Sequence, residues 1–270
     1  MNYETLQLTI KDSVATITLN RPERLNSFDM TLGRELYDVL HEVGNNQQVL
    51  VVILTGVGKG FCGGGDVKEM HTAIDKPRFL RDLTRAIHRC VIEIRSMEKP
   101  VIAAVNGAAF GAGLSLALAC DMIIAVKQAK MNTAFIGIGL APGCGTQFFT
   151  KVVGYQRACE YILTSKPFTA EEGYHLGLIN KVVDADTFDA TVEEIASAFR
   201  SLPPIAVGKA KMLINKSLQN DMISHLELES KTAAFSAGTE DFTEGVMAFV
   251  QKRKPVFKLS LIHISEPTRP

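Results

Sequence analysis

The sequence predicts an α/β fold, a core of parallel β–α units followed by an all-helical C-terminal region. Three observations lead there. Residues 49–54 are a continuous β-branched and leucine run, the mark of a strand buried on both faces, and 101–105 and 122–126 are two further short apolar runs of the same kind. They alternate with longer segments of helical period, which implies parallel pairing with right-handed crossovers. Past Asp184 no further strand run appears. Segments 186–200, 205–219, 222–236 and 239–252 all read as helices, broken by Leu202-Pro203-Pro204.

Taken in order, residues 5–19 alternate apolar and polar: Leu6, Leu8, Ile10, then Val14, Ile17, Leu19. Lys11-Asp12-Ser13 between the runs predicts a hairpin. Leu32, Leu36, Val39, Leu40 and Val43 place a helix over 31–43. The strand at 49–54 runs directly into a glycine-rich loop, TGVGKGFCGGGD. Phe79, Leu83, Ile87, Val91 and Ile94 then recur at helical spacing over 77–97, and Lys99-Pro100 ends that helix. Between the strands at 101–105 and 122–126 lies GAAFGAGLSLALAC, so apolar all round that it reads as a buried helix. The final LSLIHISEPTRP, residues 259–270, matches neither region and reads as a sequencing or cloning scar.

Composition excludes several function classes. Apolar residues make up 46% and charged residues 21%, which is ordinary for a globular chain. Lys+Arg and Asp+Glu both number 29, so no global field favours nucleic acid or an anionic membrane. Tryptophan is absent and aromatics are 7%, leaving little material for base stacking. The five cysteines are widely spaced without a CxxC pair, and the six histidines form no HxxxH or HExxH, so neither a disulfide framework nor a metal site is expected. No apolar stretch is long enough to cross a membrane, and MNYETLQLTIKDS lacks the pattern of a secretory signal. The expected address is the cytoplasm.

Gly58, Gly60 and Gly63 satisfy GxGxxG after a strand, but the carboxylate-tipped second strand of a dinucleotide site does not follow. Gly63-Gly64-Gly65 carries an entropic penalty that a simple turn would not need, which suits a backbone passing close to a ligand. Residues 106–113 follow a second buried strand and open the buried helix, whose first N–H groups are unpaired and favour anions. The first loop alone could be a flexible turn, and the second alone reads better as close helix–strand packing through small residues. Two such loops could each supply one N–H to a single oxygen, forming an oxyanion hole.

These residues carry a resemblance. LNRPERLNSF, VVILTGVGKGFCGGGDVKEM, KPVIAAVNGAAFGAG, ALACDMIIA, LTSKPFTAEEGYHLGLINKVV and FVQKRKPVF are similar to successive landmarks of the crotonase (enoyl-CoA hydratase/isomerase) superfamily, in family order over residues 5–258. The resemblance implies a crotonase-like ββα superhelix over 1–185 and a helical trimerisation region over 186–258, assembling as a homotrimer or hexamer. It implies an acyl-CoA substrate with no separate cofactor and no nicotinamide. The oxyanion N–H groups would belong to Gly65 and Ala112. CoA would lie along Glu23, Arg24, Leu25, Gly63, Asp66, Val67 and Lys68, with Arg24 toward the nucleotide phosphates. Phe249 and Lys252 would reach the adenine end from their own or a neighbouring subunit.

The chain departs from the family at its acids. The two glutamates of the hydratases correspond here to Ser115 and Phe135, and the acid of the isomerase and dehalogenase branches to Gly143. Neither Ser115 nor Phe135 moves protons as a carboxylate does, which argues against two-glutamate hydration. AFGAGLSLALACD and AFIGIGLAPG resemble the phenylacetate-type ring-epoxide and enoyl-CoA isomerases more than the hydratases. The expectation is thioester enolate chemistry of the isomerase kind, the alternatives being a non-catalytic acyl-CoA binder, a hydrolase or a decarboxylase. His88 matches a pocket histidine of the dehalogenase branch and is the remaining candidate acid–base, although its place on an amphipathic helix suits packing as well. Asp66 reads as a loop-holding carboxylate, and Glu69 and His71 as weaker candidates.

Overall fold

The computed structural model describes residues 3–257; the tail at 259–270 lies outside the described residues. The chain opens with the hairpin β1 (Leu6–Lys11) and β2 (Val14–Leu19), paired antiparallel. Its two-residue turn holds Asp12 at φ 48° and Ser13 at φ 63°, the left-handed pair that matches the twist of a tight hairpin. Helix α1 (Met30–Asn45) follows, with the Asp29 carboxylate accepting from Leu32 N at 2.7 Å as its N-cap.

From β3 (Val51–Gly56) the chain winds in a spiral. Each winding lays one strand in a large sheet, turns, lays a short strand in a smaller sheet, and returns through helix. The first runs from β3 through β4 (Gly60–Cys62) to α2 (Val67–Thr72) and α3 (Lys76–Ser96). The second is β5 (Val101–Val105), β6 (Ala108–Phe110) and α4 (Ala112–Ala119). The third is β7 (Met122–Val126), β8 (Lys130–Asn132), α5 (Thr146–Val153) and α6 (Tyr155–Leu163), closed by β9 (Phe168–Thr169), α7 (Ala170–His175) and β10 (Lys181–Val183). The large sheet has the order β1-β2-β3-β5-β7-β10, parallel from β2 onward, and the small one β4-β6-β8-β9.

Two sequence expectations need correction. The loop at 55–66 contains the strand β4, and the buried helix expected over 107–120 begins only at Ala112, because 108–110 forms β6. Three-residue strands are too short to show a period, and glycine-alanine composition hides them. The helices α5, α6 and α7 were not read from the sequence either.

In the C-terminal region, α8 (Phe188–Arg200) packs on β3, β5 and β7 through Phe188, Thr191, Val192 and Ala196. The boundary at 185/186 therefore marks a change of element rather than the edge of the core. Beyond it come α9 (Pro204–Ser217), α10 (Met222–Ala237) and α11 (Glu240–Val250). Buried Lys211 pins α9 to the spiral, its ammonium 2.7 Å from the Asp121 carboxylate and donating to Ile94 O and Lys99 O. Burial lowers the Lys211 pKa, and the Asp121 charge opposes that shift. Ile214, Met222, Ile223, Leu226 and Phe242 on these helices stay at least half exposed. Among the described residues no helix is long and apolar enough to cross a membrane.

Candidate functional site

The two glycine loops meet. Gly64 has φ 100° and Gly111 φ 51°, backbone shapes that glycine alone adopts freely. A Cβ on Gly64 would stand 2.9 Å from Phe110 O and 3.6 Å from Ala112 N, so the first loop lies directly against the start of α4. Phe28 pairs with the first loop as a parallel bridge, donating to Gly64 O at 2.7 Å and accepting from Asp66 N at 2.8 Å. Alternation along an extended strand then turns the Gly65 N–H away from Phe28. Ala112 is the first residue of α4, so its N–H has no acceptor within the helix. Two backbone donors thus sit on touching loops, one of them at the positive end of a helix.

A buried ion cluster holds this arrangement. Arg21 bonds to Ser27 O and reaches the Asp29 carboxylate at 2.8 Å and that of Asp66 at 3.4 Å. Asp66 also caps α2, accepting from Lys68 N at 3.0 Å and Glu69 N at 3.4 Å. Buried Asn26 adds a second tie, accepting from Arg21 N and donating to Val57 O and Gly60 O. Sequence reasoning missed Arg21, because its partners lie on separate elements and nothing local marks it. Glu69, one turn into α2, is held above the usual carboxylate range by burial and then by the nearby Asp29 and Asp66 charges.

The positions that lack acids also converge. Ser115 is buried, with its hydroxyl 2.9 Å from Gly111 O and 3.0 Å from Cys144 O. Phe135 approaches from the turn after β8, with its ring tip 3.8 Å from where a Gly111 Cβ would stand. Gly111, Ser115, Phe135, Pro142, Cys144 and Gly145 are among the residues that surround a cavity of about 10 Å³. That is barely the room of one water. Burial raises the Cys144 thiol pKa, partly offset by the Ser115 hydroxyl and the Gly145 N–H, so it is a poor nucleophile.

Helix α3 roofs both parts. Leu83 lies 3.6 Å from a Cβ position on Gly65, while Thr84 lies against Gly143 and the exposed His88 places Nε2 2.7 Å from Gly143 O. A carbonyl only accepts, so this contact needs a proton on Nε2.

The residues assigned to CoA fall into two groups. The Gly63 N–H donates to Leu25 O at 2.8 Å, which joins the Pro22–Arg24 turn, carrying Glu23, to the stretch Gly63, Gly65, Asp66, Val67 and Lys68. Leu25, Val67 and Lys68 are exposed along it, and Arg24 carries a buried Nη1 with no hydrogen-bond partner. Phe249 and Lys252 belong to another surface, on and just after α11. Phe249 lines a cavity of about 360 Å³ with Pro203, Phe242 and Phe257.

A ββα spiral with two strand-to-helix loops touching at backbone amides is the architecture of the crotonase superfamily, and solved structures agree. An enoyl-CoA hydratase from Bacillus anthracis superposes with a TM-score of 0.91 at 33% identity, covering 95% of this chain and all of that one. The family description "Enoyl-CoA hydratase/isomerase" matches residues 9–260, and the chain belongs to that family. It is 36% identical over 253 residues to the 1,2-epoxyphenylacetyl-CoA isomerase of Escherichia coli, covering 92% of this chain and 96% of that protein. It is also 36% identical over 258 residues to the short-chain-enoyl-CoA hydratase of Clostridium acetobutylicum, covering 94% and 97%. Identity alone therefore does not choose between isomerase and hydratase.

Proposed function

We propose that this chain binds acyl-CoA thioesters, with no separate cofactor, and stabilises a thioester enolate by donating the Gly65 and Ala112 N–H groups to the carbonyl oxygen. The observation that supports this reading is the contact of the two loops, which sets two backbone donors on adjacent elements. Such donors act on charge that develops during reaction, and each is worth about 10²–10³ in rate. With Ser115, Phe135 and Gly143 at the acid positions, the chemistry favoured is isomerisation or α-proton exchange rather than water addition. CoA lies along Glu23–Leu25 and Gly63–Lys68, and the unpartnered Nη1 of Arg24 suits a phosphate.

A second reading, a non-catalytic acyl-CoA binder, draws support from the 10 Å³ cavity, whose lining holds no carboxylate and no imidazole. The half-exposed apolar side chains of α9–α11 suit burial in a homotrimer or hexamer working in the cytoplasm. Light scattering at the monomer mass over a wide concentration range would exclude that assembly.

Ala112→Pro tests the donor directly. Proline is well tolerated at the first position of a helix, where its ring Cδ replaces an N–H that the helix does not use. Exchange of acyl-CoA α-protons with solvent should fall about 10²–10³-fold while calorimetric CoA binding persists. Unchanged exchange in a folded Ala112→Pro protein would sink the enolate reading. Binding of NAD but not CoA would sink both readings.

A further inference from the structure

We propose that the Phe135 ring sets the length of acyl group this chain accepts, closing the inner end of the acyl site so that only short acyl-CoA thioesters fit. The inference rests on the acyl-CoA reading and specifies its substrate class.

The ring is held by its backbone. Ala134 takes φ 60°, with its N–H on Asn132 Oδ1 at 2.8 Å, and Phe135 N donates to Thr133 O at 2.8 Å. On the far side, Phe135 O accepts from Ile138 N and Leu140 N at 3.2 and 3.1 Å. A left-handed alanine is an uncommon conformation, and here hydrogen bonds on both sides of the aromatic residue fix it. The ring reaches Gly111, the neighbour of the Ala112 donor, so any acyl group whose carbonyl meets that donor meets Phe135 next.

Nothing deeper offers room. The residual space is about 10 Å³. Two of the hydroxyls in its lining are engaged, Ser115 as described and Thr133 Oγ1 donating to Tyr161 O at 3.4 Å. Behind it stands an aromatic wall: Phe149 is 1% exposed, with ring centroids 6.0 Å from Tyr161 and 6.1 Å from Phe168. Forcing added methylenes into packing of this kind drives side chains off their rotamers and is unfavourable. Replacing Phe135 by a smaller side chain opens the space between Gly111 and the 142–145 loop.

Calorimetric titration of free CoA, acetyl-, butyryl- and octanoyl-CoA into the wild type, Phe135→Ala and Phe135→Leu tests this. The wild type should bind octanoyl-CoA about tenfold or more weaker than butyryl-CoA, the scale of methylene discrimination in a pocket. Phe135→Ala should remove that gap, Phe135→Leu should narrow it, and free CoA should bind all three proteins alike. Should Phe135→Ala fail to fold, the Phe135→Leu ratio decides. Wild-type binding of octanoyl-CoA as tight as butyryl-CoA, or an unchanged ratio in the folded variants, overturns the proposal. Failure of the wild type to bind free CoA would instead overturn the acyl-CoA reading on which it rests.

Discussion

The two halves of the candidate site are built from different materials. The donor half is backbone: Gly64, Gly65, Gly111 and Ala112, shaped by positive φ values and held by Arg21, Asp29 and Asp66. The acid–base half is side chain, and here those side chains are a hydroxyl, a phenyl ring and none at Gly143. A backbone donor is fixed by the path of the chain, so it persists as long as the fold does. A catalytic side chain is exchanged by one substitution that leaves the path of the chain unchanged. On the proposed reading, thioester binding and enolate stabilisation therefore belong to the architecture, whereas the choice of reaction belongs to three replaceable positions.

The largest expected effect breaks the comparison at its weakest point. Hydration needs two proton movements, and each lost acid–base group costs about 10²–10⁴-fold. Crotonyl-CoA hydration, followed by loss of the enoyl thioester absorbance, should be negligible. Turnover in the usual enzyme range of about 1–10³ s⁻¹ would show that other groups do the work of the missing glutamates.

The next prediction concerns what supports the donor half. Cys62 lies under α4, where a Cβ on Gly113 would overlap Cys62 O, and Cys90 and Cys120 sit on the same spiral. Burial pushes the Cys62 and Cys90 thiols up to about 12, and Cys120 also upward. An acid whose folded pKa is raised keeps its proton in the fold and loses it on unfolding. Its stability contribution is thus full below its unfolded pKa and falls as pH rises toward the folded one. Between the unfolded thiol value and about 12, each buried thiol should remove about 1.4 kcal/mol per pH unit. Lys99, lowered by burial to about 8, acts with the opposite sign and offsets part of this loss. Urea midpoints that stay level or rise above pH 9.5 would contradict this balance.

Much of the fold was legible because long elements repeat their signal. The helices at 31–43 and 77–97, the strands at 101–105 and 122–126 and the four C-terminal helices appear in the structure within a few residues of their expected bounds. The small sheet was not legible, since three residues of glycine and alanine show no period. Gly65 and Ala112 could be named from motif order, yet the first loop is held by Phe28, which pairs with Gly65 from the far side of α1, β3 and β4 in the chain. The closure around Ser115 was hidden for the same reason: Cys144 and Gly145 reach it only after the chain has gone through another full winding.

That closure sharpens what restoring acids would do. A Cβ on Gly145 would already overlap the Ser115 hydroxyl, and the cavity beside it holds about 10 Å³. Ser115→Glu alone should overpack the site, costing about 1–3 kcal/mol, or roughly 2–4 °C in Tm for each kcal/mol. Adding Phe135→Glu frees the ring's volume, so the double variant should recover part of that loss and raise crotonyl-CoA hydration above the wild type. A double variant that folds as the wild type does yet hydrates no faster would show that the pocket lacks more than its two carboxylates.

His88 decides whether the acid–base half is vacant. It is a titratable side chain in contact with that half, but the contact is to a carbonyl, and its ring is exposed. As a tether of the 142–145 loop, the hydrogen bond is worth about 0.5–1.5 kcal/mol. His88→Ala should therefore lower stability by about that much or less, given the exposure, and reduce α-proton exchange less than about tenfold. His88→Gln, whose amide can still donate, should restore most of both. If the ring instead moves the proton, the two variants should agree: stability nearly unchanged, exchange down about 10²-fold or more, and one limb of the pH–rate profile gone. Loss of exchange in His88→Gln with Tm unchanged would make the imidazole catalytic, and the acid–base half would then be relocated to α3 rather than lost.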